Sequence, residues 1–287
     1  AYEIASCLVG SEMCIRGRID CGEGTQVQMR RMRVRFGRLA HIFISHLHGD
    51  HCFGLPGLIS TLGMLGRTGE LVVHGPKEVE TYLRPVMDLF CRGMEFEVRF
   101  NPVDTRSHSL VMEDRSLSVY SIPLKHRIPT CGYLFAEKPK EAHIIREMTD
   151  FYQVPVRCMK DIKQGQDYVT PEGEVVPNSR LTRPAAPPKR YAFCSDTAYN
   201  RSIIPIIEGA DLLYHEATFA ECDLARAKET FHSTARQAAE IARDAHVKRL
   251  VIGHYSARYE DLSELHREAE AVFPGTILGN EGTVIPV

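Results

Sequence analysis

At 287 residues, with 44% hydrophobic and 25% charged side chains, the chain is long enough for one large core or two modest domains and has an ordinary globular composition. A formal net charge of −2 provides no global attraction for nucleic acid, so any such role must come from local basic patches. No apolar run approaches the roughly 20 residues that span a bilayer, nothing resembles a signal peptide, and nine cysteines without a CxxC pair argue against a disulfide framework; no membrane partner and a reducing cytoplasm are expected.

Residues 1–18 read as a foreign or aberrant segment. The latter half of residues 5–18 resembles the translation of a transposon-end sequencing adapter, so no function is assigned before Ile19. Asp20-Cys21-Gly22-Glu23-Gly24-Thr25-Gln26 opens the coherent sequence. Arg30, Arg31, Arg33, Arg35 and Arg38 then form either a stripe facing nucleic acid or a solvated helix or turn, and charge alone does not choose. Leu39 to Ser45 reads as an apolar, β-branched-rich strand, and a helix-like apolar run follows Gly54-Leu55-Pro56-Gly57. Between them, His46-Leu47-His48-Gly49-Asp50-His51 packs four potential metal ligands into six residues. A strand end entering a helix is a usual place for chemistry in a layered α/β fold. Extended-to-turn backbone can aim His46 and His48 at one ion while Asp50 and His51 face a second, and this nitrogen–oxygen donor set suits zinc. Cys52, beside the cluster, reads as a buried, inert thiol.

Further along, residues 71–74 form a short strand ended by Gly75-Pro76, and residues 77–92 a helix. Residues 95–100, 116–122 and 132–136 read as strands. Residues 138–189 differ: they hold seven of the sixteen prolines and little periodicity, which predicts an insertion or protruding arm without regular structure. Within it, Arg157, Lys160 and Lys163 recur every three residues, so a helical turn would present them on one face to phosphates; a solvated charged loop is the alternative. The second half returns to alternation: strand 191–194, short helix 202–208, strand 211–215, a helix 235–245 capped by Ser233 or Thr234, strand 249–253, helix 262–272 and strand 276–286.

Two ions need further ligands from other strand ends. His126, Asp196 and His254 each follow an apolar run, so all three can converge on one sheet edge. With the first cluster they make five histidines and two aspartates, enough for two ions with a bridging carboxylate. His215 reads as a buried, satisfied histidine, and His41, His74, His108, His143, His246 and His266 as structural or surface residues.

The set His46-x-His48-x-Asp50-His51, His126, Asp196 and His254 resembles the metallo-β-lactamase superfamily. Asp20 to Gln26, His215-Glu216-Ala217-Thr218 and His232-Ser233-Thr234 narrow the resemblance, over residues 19–287, to the ribonuclease Z family of tRNA 3′-processing endonucleases in its short bacterial form. The resemblance implies an αββα sandwich, two β-sheets flanked by helices, interrupted by a tRNA-binding arm at 138–189. It implies that His46, His48 and His126 hold one zinc, that Asp50, His51 and His254 hold the other, and that Asp196 bridges them, giving two Zn2+ per subunit. The family's N-terminal hairpin is missing or replaced here, and the arm tip Val154-Pro155-Val156-Arg157-Cys158 is less glycine- and leucine-rich than is usual.

The implied reaction is attack of metal-activated water on the phosphodiester after the discriminator base of precursor tRNA, leaving a tRNA 3′-hydroxyl and a trailer 5′-phosphate. Asp50 would orient or deprotonate the water. His232, with Glu216 bonded to it, would protonate the leaving oxygen; from spacing alone, His232 is equally a helix-start residue bonding the backbone. The family is homodimeric, with one subunit's arm serving the other's active site. A rival reading is a small-molecule hydrolase of thioesters, sulfate esters or lactones on the same fold, which would share the ligands but have no use for a basic arm. A non-catalytic zinc-dependent RNA-binding protein, or an inactive truncated chain, is the other.

Overall fold

Short apolar runs punctuated by glycine, proline and polar turns leave little length for each element. The computed structural model describes residues 17–287. Most of the segment read as foreign therefore lies outside the described residues; its last two, Gly17 and Arg18, open strand β1 (Gly17–Ile19). Helix α1 (Thr25–Arg31), β2 (His41–Phe43), α2 (Gly49–Cys52), α3 (Leu55–Met64), β3 (Leu71–Gly75), α4 (Glu78–Phe90) and β4 (Val98–Pro102) follow. The four strands pair in parallel in the order β1-β2-β3-β4. Parallel strands buried on both faces are continuously apolar, and Leu71, Val72 and Val73 fit that rule at 2% exposure or less. Ile42, Ile44 and Val73 pack with Leu55, Leu58, Ile59 and Leu62 of α3 and Leu83 of α4 in one core cluster.

The second sheet begins with β5 (Leu110–Glu113), β6 (Leu117–Pro123) and β7 (Cys131–Glu137). Here a second compact unit, Asp114–Leu117 with Ala136–Lys189, departs from the first. The expectation of an arm without regular structure is corrected. The unit contains β8 (His143–Ile144), α5 (Arg146–Phe151), α6 (Met159–Lys163), β9 (Tyr168–Val169), β10 (Val175–Val176), α7 (Asn178–Leu181) and β11 (Thr182–Arg183). Val154, Ile162, Tyr168, Val176 and Leu181 form its own small core. Asn178 ties it together, its amide donating to the Ile162 and Gln166 carbonyls. Elements this short carry no measurable period, which is why the sequence reads as featureless.

The chain resumes with β12 (Arg190–Cys194), α8 (Ile204–Ile207), β13 (Leu212–Glu216), α9 (Leu224–Thr230), α10 (Ala235–Asp244), β14 (Leu250–Gly253), α11 (Ser263–Glu270) and β15 (Ile277–Leu278). The sheet order is β15-β14-β13-β12-β7-β6-β5, with β12 to β15 parallel. The long last strand expected over 276–286 shrinks to two residues, because the chain turns away after Leu278 and ends largely exposed. Thr234 caps α10 in a reciprocal box with Gln237, and the alanine face of that helix joins Leu213, Leu250 and Ile252 in a second core cluster. Between the sheets, the Phe43 ring meets Tyr133 and Phe135 edge-on at 5.2 Å, and the Tyr133 hydroxyl donates to the Ile44 carbonyl. Helices thus cover the outer face of each sheet, giving the αββα sandwich.

Candidate metal centre

Each candidate ligand lies just beyond a strand's C-terminal end, where side chains leave the buried ladder and can converge. From β2 the chain passes through Ile44 and Ser45 into His46 and His48, and the first turn of α2 carries Asp50 and His51. His126 follows β6, Asp196 follows β12, and His254 follows β14. Parallel register aligns these ends: Cys194 lies opposite His215, and Glu216 opposite Gly253.

Two groups result. One donor atom each from His46, His48, His126 and Asp196 lie within 4.8 Å of one another, as do those of Asp50, His51 and His254. Asp196 faces both. Its Oδ2 is 3.6 Å from His46 Nε2 and 3.8 Å from His126 Nε2, while its Oδ1 is 3.4 Å from His51 Nε2 and 3.2 Å from His254 Nε2.

The outer nitrogens define what the inner ones can do. His51 Nδ1 donates to Asp20 Oδ2 at 2.7 Å, and the same aspartate accepts from the Ser45 amide at 2.7 Å and its hydroxyl at 2.9 Å. With its proton committed to Asp20, the Ser45 oxygen accepts from His46 Nδ1 at 2.9 Å. His126 Nδ1 donates to the Phe231 carbonyl at 3.0 Å. His254 Nδ1 donates to the Thr218 hydroxyl at 2.8 Å, which itself donates to Glu216 at 2.7 Å. Each of these four rings therefore commits Nδ1 outward and turns Nε2 inward, the atom left for ligation. His48 is the exception, presenting Nδ1 at 3.0 Å from His46 Nε2 and 3.3 Å from His126 Nε2.

These residues fit a divalent cation. His51 Nε2 is buried with no hydrogen-bond partner among the described residues, and ring nitrogens so close repel unless a cation lies among them. Burial first, then neighbouring charge from His51, drives His46 down to about 2. Burial also lowers His48 and His126. At His51 burial is outweighed by Asp196 and Asp20, which raise the ring to about 10. Asp196 is lowered in turn, because His254, His51 and His46 outweigh its burial. The electrostatics thus call for positive charge beside Asp196, and imidazole with carboxylate is a zinc donor set.

Beside the ligands sits a proton-transfer pair. Glu216, fully buried at the end of β13, accepts from the Thr197 and Thr218 amides, the Thr218 hydroxyl and His232 Nδ1, the last at 2.9 Å. Burial would raise this carboxyl, but the bonds and charge of His232 and His254 hold it lowered. His232 groups with Asp196 and His254, again within 4.8 Å.

Asp20, Ser45, Thr218 and Phe231 had no assigned role in the sequence reading. Asp20 and Thr218 were visible within the quoted motifs, and Asp20 has the added signal of a left-handed backbone, φ 53°. Phe231 had no signal. Cys52 is buried and its thiol is pushed up to about 12 by burial, an inert residue. His215 is buried but only half satisfied: Nδ1 bonds the Glu216 carbonyl while Nε2 has no hydrogen-bond partner among the described residues. In the second unit, Arg157 and Lys160 are exposed and Lys163 is half-buried, on a 3₁₀ turn running into α6. Arg30, Arg31, Arg33, Arg35 and Arg38 are all exposed on and after α1.

The family described as Beta-lactamase superfamily domain matches residues 18–163. A ribonuclease Z of Parabacteroides distasonis is 80% identical over 269 residues, covering 94% of this chain and 88% of the relative. One from Bacteroides fragilis is 61% identical over 267 residues, covering 93% and 88%. The crystal structure of human tRNase Z, short form, superposes with a TM-score of 0.66 at 25% identity, covering 94% of this chain and 88% of that one.

Proposed function

The chain belongs to the ribonuclease Z family of the metallo-β-lactamase superfamily, and from that premise we propose how its own residues carry out the reaction. It is a zinc-dependent endonuclease that removes the 3′ trailer from precursor tRNA. The observation that carries this reading is His232: hydrogen-bonded to buried Glu216, it lies within 4.8 Å of Asp196 and His254, beside a cluster suited to metal.

His46, His48 and His126 would hold one zinc and Asp50, His51 and His254 a second, with Asp196 lying between the two groups. Bound there, two zinc ions would acidify the attacking water to a pKa of about 7 and withdraw charge from the phosphodiester. Asp50, with its side chain 54% exposed and Oδ2 3.6 Å from His51 Nε2, is accessible to orient or deprotonate that water. Attack on phosphorus expels the ribose 3′-oxygen of the discriminator nucleotide, which takes a proton from His232 Nε2. The Glu216 carboxylate on His232 Nδ1 keeps the ring oriented, with Nε2 free to serve the leaving oxygen. A tRNA 3′-hydroxyl and a trailer 5′-phosphate result, with no cyclic phosphate, because water and not the neighbouring 2′-hydroxyl attacks.

The second unit acts as the tRNA-binding arm, Arg157, Lys160 and Lys163 contacting backbone phosphates. The working species is a homodimer in the cytoplasm. Seven free cysteines among the described residues support a reducing location, and no helix there is long and apolar enough to cross a membrane.

The test is to incubate the zinc-loaded protein with a 3′-extended precursor tRNA and map both product ends, beside His48→Ala. Cleavage just after the discriminator, with a 3′-hydroxyl, is expected from the wild type alone. A folded, zinc-loaded protein that hydrolyses a thioester or lactone and leaves the precursor uncut would overturn the reading.

A further inference from the structure

We propose that Phe231 is the stacking platform for the discriminator base, an assignment that rests on the endonuclease reading above. Phe231 ends α9 in the left-handed conformation, φ 60° and ψ 46°. Glycine or asparagine usually occupies such a helix end, because a β-carbon is strained there. The backbone at this point has a definite task. Its carbonyl accepts from His126 Nδ1 at 3.0 Å, and the next residue is His232. Glycine would perform that task without strain, so the backbone does not account for a phenylalanine. Packing does not account for it either: Phe231 is 44% exposed, whereas nearby Phe219 is 4% exposed.

What remains is an aromatic face in water at the rim of the candidate catalytic centre. Bases stack on such faces without regard to sequence, which suits an enzyme meeting many different tRNAs. A cation stands close by: Arg127 donates from Nη2 to the Glu229 carbonyl at 3.3 Å, two residues before Phe231. Aromatic and guanidinium groups side by side are a usual grip on single-stranded nucleic acid. The side of the scissile bond follows from His232. If that ring protonates the 3′-oxygen of the discriminator nucleotide, its neighbour Phe231 lies on the discriminator side, not the trailer side.

The chain contains no tryptophan, which makes the test direct. In Phe231→Trp the sole indole reports on stacking. Its emission should be quenched by a precursor tRNA whose scissile linkage is an uncleavable methylphosphonate, and left unquenched when the discriminator is abasic. In kcat/KM, Phe231→Leu should cut the intact precursor about 10-fold more slowly, within the span of measured base–aromatic contacts, while Phe231→Tyr restores the rate. The wild type should lose as much on a precursor abasic at the discriminator, and little on one abasic at the first trailer nucleotide. Combining Phe231→Leu with the abasic discriminator should cost no more than either change alone. Additive losses, or tryptophan emission indifferent to the base, would overturn the proposal. A zinc-loaded wild type that leaves the intact precursor uncut would overturn the endonuclease reading and this inference with it. A wild type and Phe231→Leu that cut equally well would sink the inference alone.

Discussion

An imidazole binds metal well only when its other nitrogen is committed, and the commitments here are unusually concentrated on Asp20. That one carboxylate takes protons from His51, from the Ser45 amide and from the Ser45 hydroxyl, which in turn sets His46. Two candidate ligands, one in each group, thus depend on a residue that touches neither ion. Asp20→Ala should weaken metal binding about 10- to 100-fold, with the His51 site emptying first. Metal analysis after dialysis should find about one zinc per chain, and two retained tightly would contradict the account. A second buried histidine shows the opposite design. His74 Nδ1 accepts from the Asn101 amide at 2.9 Å, and that amide nitrogen also donates to the Val111 carbonyl at 3.0 Å, so the amide is anchored as a donor. His74 Nε2 then donates to His41 Nδ1 at 3.0 Å. With both ring nitrogens so used, a second proton has no place, and burial, then charge on His41 and Arg99, pushes His74 down to about 3. Unfolded, the ring titrates near 6.5. The stability tied to its neutral form is therefore complete above about pH 6.5 and is lost as pH falls toward 3, at up to about 1.4 kcal/mol per pH unit. Urea unfolding of wild type and His74→Leu should show a difference that narrows over this window; a difference constant with pH would refute the assignment.

At the scale of elements, the strand ends that carry candidate ligands were readable in the sequence because each is an apolar run broken by a polar residue, as at Ile252-Gly253-His254. Their exact length was not. The strand read over residues 39–45 pairs only over His41–Phe43, because the chain must leave the ladder early for His46 to turn inward. The second unit was illegible for the opposite reason: its strands are two residues long, and its order comes from a local core and from Asn178, not from periodicity. Capping chemistry was legible. Thr234, two residues after His232, accepts from the Gln237 amide and donates to Glu221, fixing the start of α10. Thr234→Ala should cost about 1 kcal/mol and lower the melting temperature by about 2–4 °C. Because the same turn carries His232, kcat on precursor tRNA should fall with KM little changed. A melting temperature equal to the wild type's would show that the cap contributes nothing.

At the scale of the whole molecule, the net charge of −2 leaves affinity for a polyanion to be supplied locally. Two clusters can supply it, the exposed arginines on and after α1 and the cations of the second unit. The junction of that unit permits a clean separation, since the Glu137 amide donates to the Lys189 carbonyl at 2.8 Å and the Lys189 amide to the Glu137 carboxylate at 3.1 Å. The two ends are therefore adjacent, and a short glycine link can replace residues 138–189 without stretching β7 or β12. The candidate metal ligands, Glu216 and His232 all lie in the first unit, so chemistry and substrate grip should part on deletion. The shortened protein should keep two zinc ions and the hydrolysis of bis(p-nitrophenyl) phosphate, an activated diester small enough to need no grip, while kcat/KM on precursor tRNA falls by at least about 100-fold. Salt gives an independent measure of the same division. Binding of precursor tRNA by the intact protein should weaken linearly in log–log salt plots, and each phosphate contact removed with the arm should flatten the slope by about 0.7 to 0.9. An unchanged slope would place the phosphate contacts on the arginines of the first unit instead, and the second unit would lose its assigned role.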